Sequence, residues 1–188
     1  MIGQRSKSTE LSDRFRLCFE NGIKAEKRLA MLLKEKYGGR IIPSSREADM
    51  HDHIDFTWVQ DNGIAVTFDV KSHKKNKDML IDTEWVEQKN INGEDGWLYG
   101  KADYIAYERE GFWLVIARKE LIMITEEFVR HKCPTTSNMD ICAPYTRKGR
   151  KDVVVRIPFS EIIIRGKILW KETDMTDLYK LKISYDTL

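Results

Sequence analysis

Three cysteines in 188 residues are too few for a complete disulfide framework, since Cys18, Cys133 and Cys142 leave one sulfur over however they pair. No apolar run has the length of a membrane span and no signal pattern opens the chain, so a reducing, cytoplasmic setting without a membrane partner is expected. A strong excess of one charge is also missing. Lysine and arginine number 32 against 30 acids, a formal +2, which excludes a binder whose global basicity alone would announce nucleic acid. Repeats and low-complexity tracts are absent as well. With 41% hydrophobic residues, 1–188 can bury a sizeable core and are expected to form a single domain with a mobile polar segment over 1–10.

What is present concentrates in residues 53–72, HIDFTWVQDNGIAVTFDVKS. Two alternating apolar runs flank Asn62-Gly63, a strong hairpin signal. Strand side chains repeat with period two, so Asp69 and Lys71 share a face, and antiparallel pairing can bring Asp55 to the same face. Acids among Phe, Val and Ile need a compensating cation or hydrogen bonds. A hard divalent cation such as magnesium, which takes one or two carboxylates and keeps several waters, meets that need. An ion pair of Lys71 with Asp69 or Asp55 on an ordinary hairpin meets it too.

Upstream, residues 22–37 read as an amphipathic helix stopped by Gly38-Gly39. Its stripe of Ile23, Glu26, Ala30, Leu33 and Tyr37 contains one acid, so Glu26 is expected to face the body of the protein. Snorkelling at the stripe's edge, or pairing with a nearby base, is the alternative.

Taken together, Glu26, Asp55 and the Asp69-Val70-Lys71 tripeptide resemble the PD-(D/E)XK nuclease superfamily, which includes restriction-like endonucleases and archaeal and phage junction-resolving enzymes. In that family a helix carrying a glutamate precedes a β-meander, whose second strand supplies an aspartate and whose third supplies (D/E)-x-K. The resemblance covers residues 22–72 and extends through a helix expected over 81–90 and a strand over 102–108. Ile54 stands where the family has a nominal proline, and the third motif is the Asp version. A glycine-rich aromatic run ending in Ala102-Asp103-Tyr104 is similar to one that follows the meander in resolvase-like members.

The resemblance implies an α/β fold with a restriction endonuclease-like core, a central mixed β-sheet flanked by helices. It implies that Glu26, Asp55, Asp69 and the Val70 carbonyl hold one or two Mg2+ ions, with Mn2+ able to substitute, around which the three carboxylates converge. Lys71 orients or helps deprotonate the attacking water. The implied activity is hydrolysis of DNA phosphodiesters to a 5′-phosphate and a 3′-hydroxyl. The implied substrate is branched DNA of the Holliday junction type, in recombination, repair or phage DNA processing, with a homodimer making the two symmetric cuts. Restriction-like or single-strand-directed cleavage, and a catalytically inactive nucleic-acid-binding module, are the other readings.

Local basicity supports a nucleic-acid partner: Lys74, Lys75 and Lys77 follow the motif strand, and Arg147, Lys148 and Arg150 form a second run, although either is by default a solvated loop. Trp97 and Tyr99 are candidate substrate contacts or core residues. Glu87 and Gln88 on the expected 81–90 helix could orient phosphate or water, and Asp103 reads as structural. His51, His53 and His73 lie near the acids as bases, ligands or exposed flanks. His131, Cys133 and Cys142 could supply three zinc ligands but lack a paired C-x-x-C and a fourth donor. Beyond the meander the pattern predicts two strands over 102–118, a helix over 125–130, a polar loop, a strand over 152–158, a short turn or helix, and a final strand pair over 162–171, all around one sheet. A separate helix is expected over 11–20.

Overall fold

The structure, a computed structural model, describes residues 7–72, 82–129, 143–146 and 149–170, without the side chains of 7–15 and 170. It is an α/β protein built on a mixed six-stranded sheet. Helix α1 (Lys7–Tyr37) leads into β1 (Arg40–Pro43), β2 (Phe56–Val59) and β3 (Ala65–Lys71), an antiparallel meander. After β4 (Thr83–Lys89) the chain returns as β5 (Tyr104–Glu108), parallel to β3. Then follow β6 (Phe112–Ala117), α2 (Arg118–Glu127), β7 (Val153–Pro158), α3 (Phe159–Arg165) and β8 (Lys167–Trp170). The large sheet runs β1-β2-β3-β5-β6-β8, and β4 and β7 form a second, two-stranded sheet.

Period two along the strands divides the core. Phe56, Trp58, Phe68, Val70, Tyr104, Ala106, Trp113 and Val115 face α1, where Ala25, Leu29, Leu32 and Leu33 cover them. Ile105, Tyr107, Leu114 and Ile116 face the other way, onto α2, α3 and the apolar residues Val86, Val155 and Ile157 of the small sheet. Each fully buried aliphatic side chain contributes about 1.5–3 kcal/mol.

Several sequence expectations are corrected. Residues 83–89 are a strand: the partner that stabilises them, β7, lies some seventy residues downstream, beyond the reach of a local pattern. A register irregularity between Glu87 and Lys89 also blurs the alternation of β4, so the burial period looks helical. Glu87 and Gln88 accordingly sit on β4. The expected helix over 125–130 starts earlier, because Arg118, Leu121, Ile124 and Thr125 bury one helical face. The Ile162-Ile163-Ile164 run reads as strand, yet Ile162 is 0% and Ile164 75% exposed, a separation that a helix provides and that an i, i+2 strand pair denies. Among the described residues there, 167–170 form a strand. Residues 7–37 are one helix passing through Gly22, whose cost of about 1 kcal/mol is absorbed by the packed turns that follow; residues 7–10 belong to it, and 1–6 lie outside the described residues. The buried line of α1 is Ala25, Leu29, Leu32 and Leu33, which moves Glu26 to its flank.

No helix among the described residues is long and apolar enough to cross a membrane.

Candidate active site

The hairpin closes around residues 60–64, where the Ile64 N–H donates to Asn62 Oδ1 and the Gly63 N–H to the Gln60 carbonyl; Gly63 takes the positive φ of 84° that glycine tolerates. The resulting register pairs Phe56 with Phe68 and Val59 with Ala65. Because Phe56 and Phe68 both face α1, the odd-numbered neighbours Asp55, Asp69 and Lys71 face away from it. Asp55 lies one residue before β2. Its N–H donates to the Phe68 carbonyl at 2.8 Å, one residue out of the β2–β3 register, and its Oδ2 accepts the Val70 N–H at 2.5 Å. The N–H and C=O of one strand residue point to the same side, so the Val70 carbonyl also opens toward Asp55.

Asp69 is 2% exposed and doubly paired. Lys71 Nζ stands 2.6 Å from its Oδ1, and Arg118 Nη2 donates to its Oδ2 at 3.2 Å. Crowding of negative charge is written into the neighbouring acids. Burial, and then the Asp69 charge, push the Asp55 carboxyl up to about 7, against the opposing pull of Lys71 and the Val70 N–H. Glu26, half-buried on α1, is raised by burial and then by Asp49 and Asp69, with Lys71 and Lys27 acting the other way. Glu26 therefore shares the electrostatic environment of Asp55, Asp69 and Lys71.

As the side chains stand, no three His, Cys, Asp or Glu residues among those described are close enough together to hold a metal ion. The tight convergence expected of Glu26, Asp55 and Asp69 is thus not the arrangement seen, because Asp69 is held by Lys71 and Arg118 and Asp55 by the Val70 N–H. The donor set is nonetheless one that suits magnesium: carboxylate and carbonyl oxygens, with two acids raised by burial and then by neighbouring carboxylates.

Around these residues the turn Ala48–Asp52 and the loop over 96–102 are docked together. The Lys101 N–H donates to the Asp52 carbonyl at 2.6 Å, and Lys101 Nζ pairs with Asp52 at 2.8 Å. A β-carbon on Gly100 would stand 2.7 Å from His53 Cβ and 2.8 Å from the Asp52 carbonyl oxygen. Gly100→Ala should therefore destabilise the protein by about 1–3 kcal/mol through this overpacking, read as a lower midpoint in urea unfolding. An unchanged midpoint would show that the two loops separate freely.

No protein-family model, curated protein or solved structure matches the chain. The placement of each candidate residue consequently rests on the geometry itself.

Trp97 is half-buried beneath Lys71, and Tyr99 is 38% exposed in the same short turn, Trp97–Tyr99. Asp103 clamps the start of β5 to β3, its Oδ2 accepting from the Thr67 N–H at 2.8 Å and from Thr67 Oγ1 at 2.7 Å. His51 is exposed, whereas His53 is half-buried in a left-handed conformation with its imidazole pKa lowered by burial. Arg150 is exposed. Lys74, Lys75, Lys77, Arg147, Lys148, His73, His131, Cys133 and Cys142 lie outside the described residues.

Sequence reasoning missed two members of the site. Arg118 reads as an ordinary polar residue after an apolar strand, and only a cation closing six apolar positions, Phe112 to Ala117, hinted at burial. Tyr107, in register with Lys71 and 1% exposed, carries a hydroxyl with no hydrogen-bond partner among the described residues. Burial, and then the charge of Glu84 and Asp69, keep its phenol neutral.

Proposed function

We propose that this chain is a magnesium-dependent DNA endonuclease with a restriction endonuclease-like core, structure-specific for branched DNA of the Holliday junction type. The observation that carries the reading is the placement of Asp55, Asp69 and Lys71 on one face of the mixed sheet, with Glu26 reaching the same electrostatic field from α1. The order of α1 and the meander also supports the reading, although β4 and a short turn occupy the connection where a helix was expected.

Asp55, Asp69, Glu26 and the Val70 carbonyl would hold the ion, which when bound supplies charge neutralisation and a more acidic water beside the scissile phosphate. Lys71, at 27% side-chain exposure and anchored by Asp69, presents its ammonium to orient that water and to offset charge developing on the phosphoryl oxygens. Arg118 keeps Asp69 in place from behind.

Lys71→Ala should reduce single-turnover cleavage about a hundredfold or more while leaving DNA affinity nearly unchanged, whereas alanine at Lys74 or Lys75 should mainly weaken affinity and its salt dependence. The reverse ranking would demote Lys71 to a phosphate contact.

One observation favours a second reading, an inactive nucleic-acid-binding module: both carboxylate oxygens of Asp69 are already engaged by cations. Incubation with junction, flap, single-stranded and duplex DNA, with and without magnesium or manganese, separates the readings. Cleavage that depends on the metal supports the nuclease. Metal-independent binding without cleavage supports the module.

A further inference from the structure

The proposed nuclease reading leaves open what fixes the Lys71 ammonium, a group on four rotatable bonds at the rim of a sheet. Its only buried anchor named so far is Asp69. A second one lies beneath it: Nζ stands 4.4 Å from the centroid of the Trp97 ring, within the range in which the ring face attracts a cation. Trp97 belongs to a loop that makes no ladder with β3, so its position needs its own explanation.

Arg118 provides one. Its side chain is 6% exposed, and its guanidinium donates to the carbonyls of Trp97, of Leu98 at 3.1 Å, of Ala102 at 2.8 Å and of His53 at 3.4 Å. The same group donates to Asp69 at 3.2 Å. Three of the four carbonyls lie in the 97–102 loop. A planar fork of five N–H donors can satisfy that many acceptors, whereas a lysine ammonium has three donors and no fork. The contacts form a closed circuit: Arg118 holds Asp69 and the backbone of Trp97, Asp69 holds Lys71, and the Trp97 ring holds Lys71 from the other side.

We infer that Trp97, anchored by Arg118, is a positioning residue that fixes the Lys71 ammonium beside Asp69. This inference rests on the nuclease reading for its consequence in catalysis, and on geometry alone for the clamp. Trp97 then acts through Lys71 and touches no DNA.

Two measurements test it. In wild-type protein with 13C-labelled lysines, the Lys71 ε-methylene protons should resonate upfield of the other lysines because of the Trp97 ring current. Trp97→Leu should abolish that displacement, and Arg118→Lys should reduce it in protein that remains folded by circular dichroism. An undisplaced Lys71 resonance in the wild type, or a displacement unaffected by Arg118→Lys, overturns the clamp.

In single-turnover cleavage, Trp97→Leu should slow the saturated rate about tenfold without changing DNA affinity, and Trp97→Phe should restore most of it. Trp97→Leu added to Lys71→Ala should cost nothing further, because both remove one interaction. Multiplying effects, or a loss confined to DNA affinity, would make Trp97 a substrate contact and refute the inference. Wild-type protein that cuts none of the DNA forms ends the nuclease reading, and the lysine spectrum then decides the clamp by itself.

Discussion

On the proposed nuclease reading, Asp69→Asn is expected to abolish metal-dependent DNA cleavage, a loss of roughly a thousandfold or more, because it removes the carboxylate charge at the centre of the site at nearly constant volume. It also lowers stability. From the sequence, the same substitution is expected to leave folding intact, but Asp69 is the carboxylate paired with the buried Arg118, and taking one partner from such a pair costs about 3 kcal/mol or more. The check is therefore a single-turnover assay at a temperature where circular dichroism shows the variant folded, alongside a thermal melt. Wild-type cleavage by the folded variant would remove Asp69 from the chemistry. An unchanged melting temperature would mean that Arg118 finds another counter-charge.

The second large effect is a dependence of stability on pH that belongs to Asp55. Its carboxyl moves from the ordinary 3.8 to about 7 on folding, chiefly through burial. A raised pKa means that the folded state binds the proton more tightly than the unfolded chain, so stability is highest at low pH with respect to this group. The deficit grows as pH rises from about 4 to about 7 and is complete above that, with a ceiling of roughly 4 kcal/mol. Asp55→Asn keeps an oxygen to accept the Val70 N–H and carries no charge to desolvate. Metal-free Asp55→Asn should accordingly be more stable than the wild type at pH 8, by an amount that shrinks toward zero near pH 4. Magnesium at pH 8 should raise the melting temperature of the wild type far more than that of Asp55→Asn, since the ion restores the missing positive charge. Parallel melting curves for the two proteins across pH 4–8 would show that Asp55 is not held against its charge.

The hairpin and its acids were legible in the sequence because every determinant is local. Asn62-Gly63 sets the turn, the apolar alternation of Phe56, Trp58, Phe68 and Val70 assigns the face toward α1, and the odd positions follow by period two. The face of α1 was read less well, because the stripe chosen there was rotated: the buried line is Ala25, Leu29, Leu32 and Leu33, and Glu26, expected within the stripe, lies on its flank. An α/β class followed from the order of periodic segments and a central mixed sheet from the resemblance, but the strand expected over 152–158 joins β4 in a second, two-stranded sheet, so the single sheet expected for all strands is corrected.

Other features were decided only in three dimensions. Strand β4 exists because β7 lies beside it, and nothing within 83–89 announces a partner so far along the chain. Helix α3 wins over a strand through Ile162-Ile163-Ile164 because the second core has room for one isoleucine face, Ile162, and leaves Ile164 in solvent. The cation behind Asp69 is the clearest case. Arg118 and Asp69 are 49 residues apart, and neither periodicity nor motif spacing couples them. Sequence by itself determined which residues are acidic, cationic and co-facial on a strand. Only the meeting of Arg118, at the start of α2, with Asp69 and the seating of the 97–102 loop beside Lys71 decided which charges meet, how deeply they are buried, and so how strongly each holds its proton.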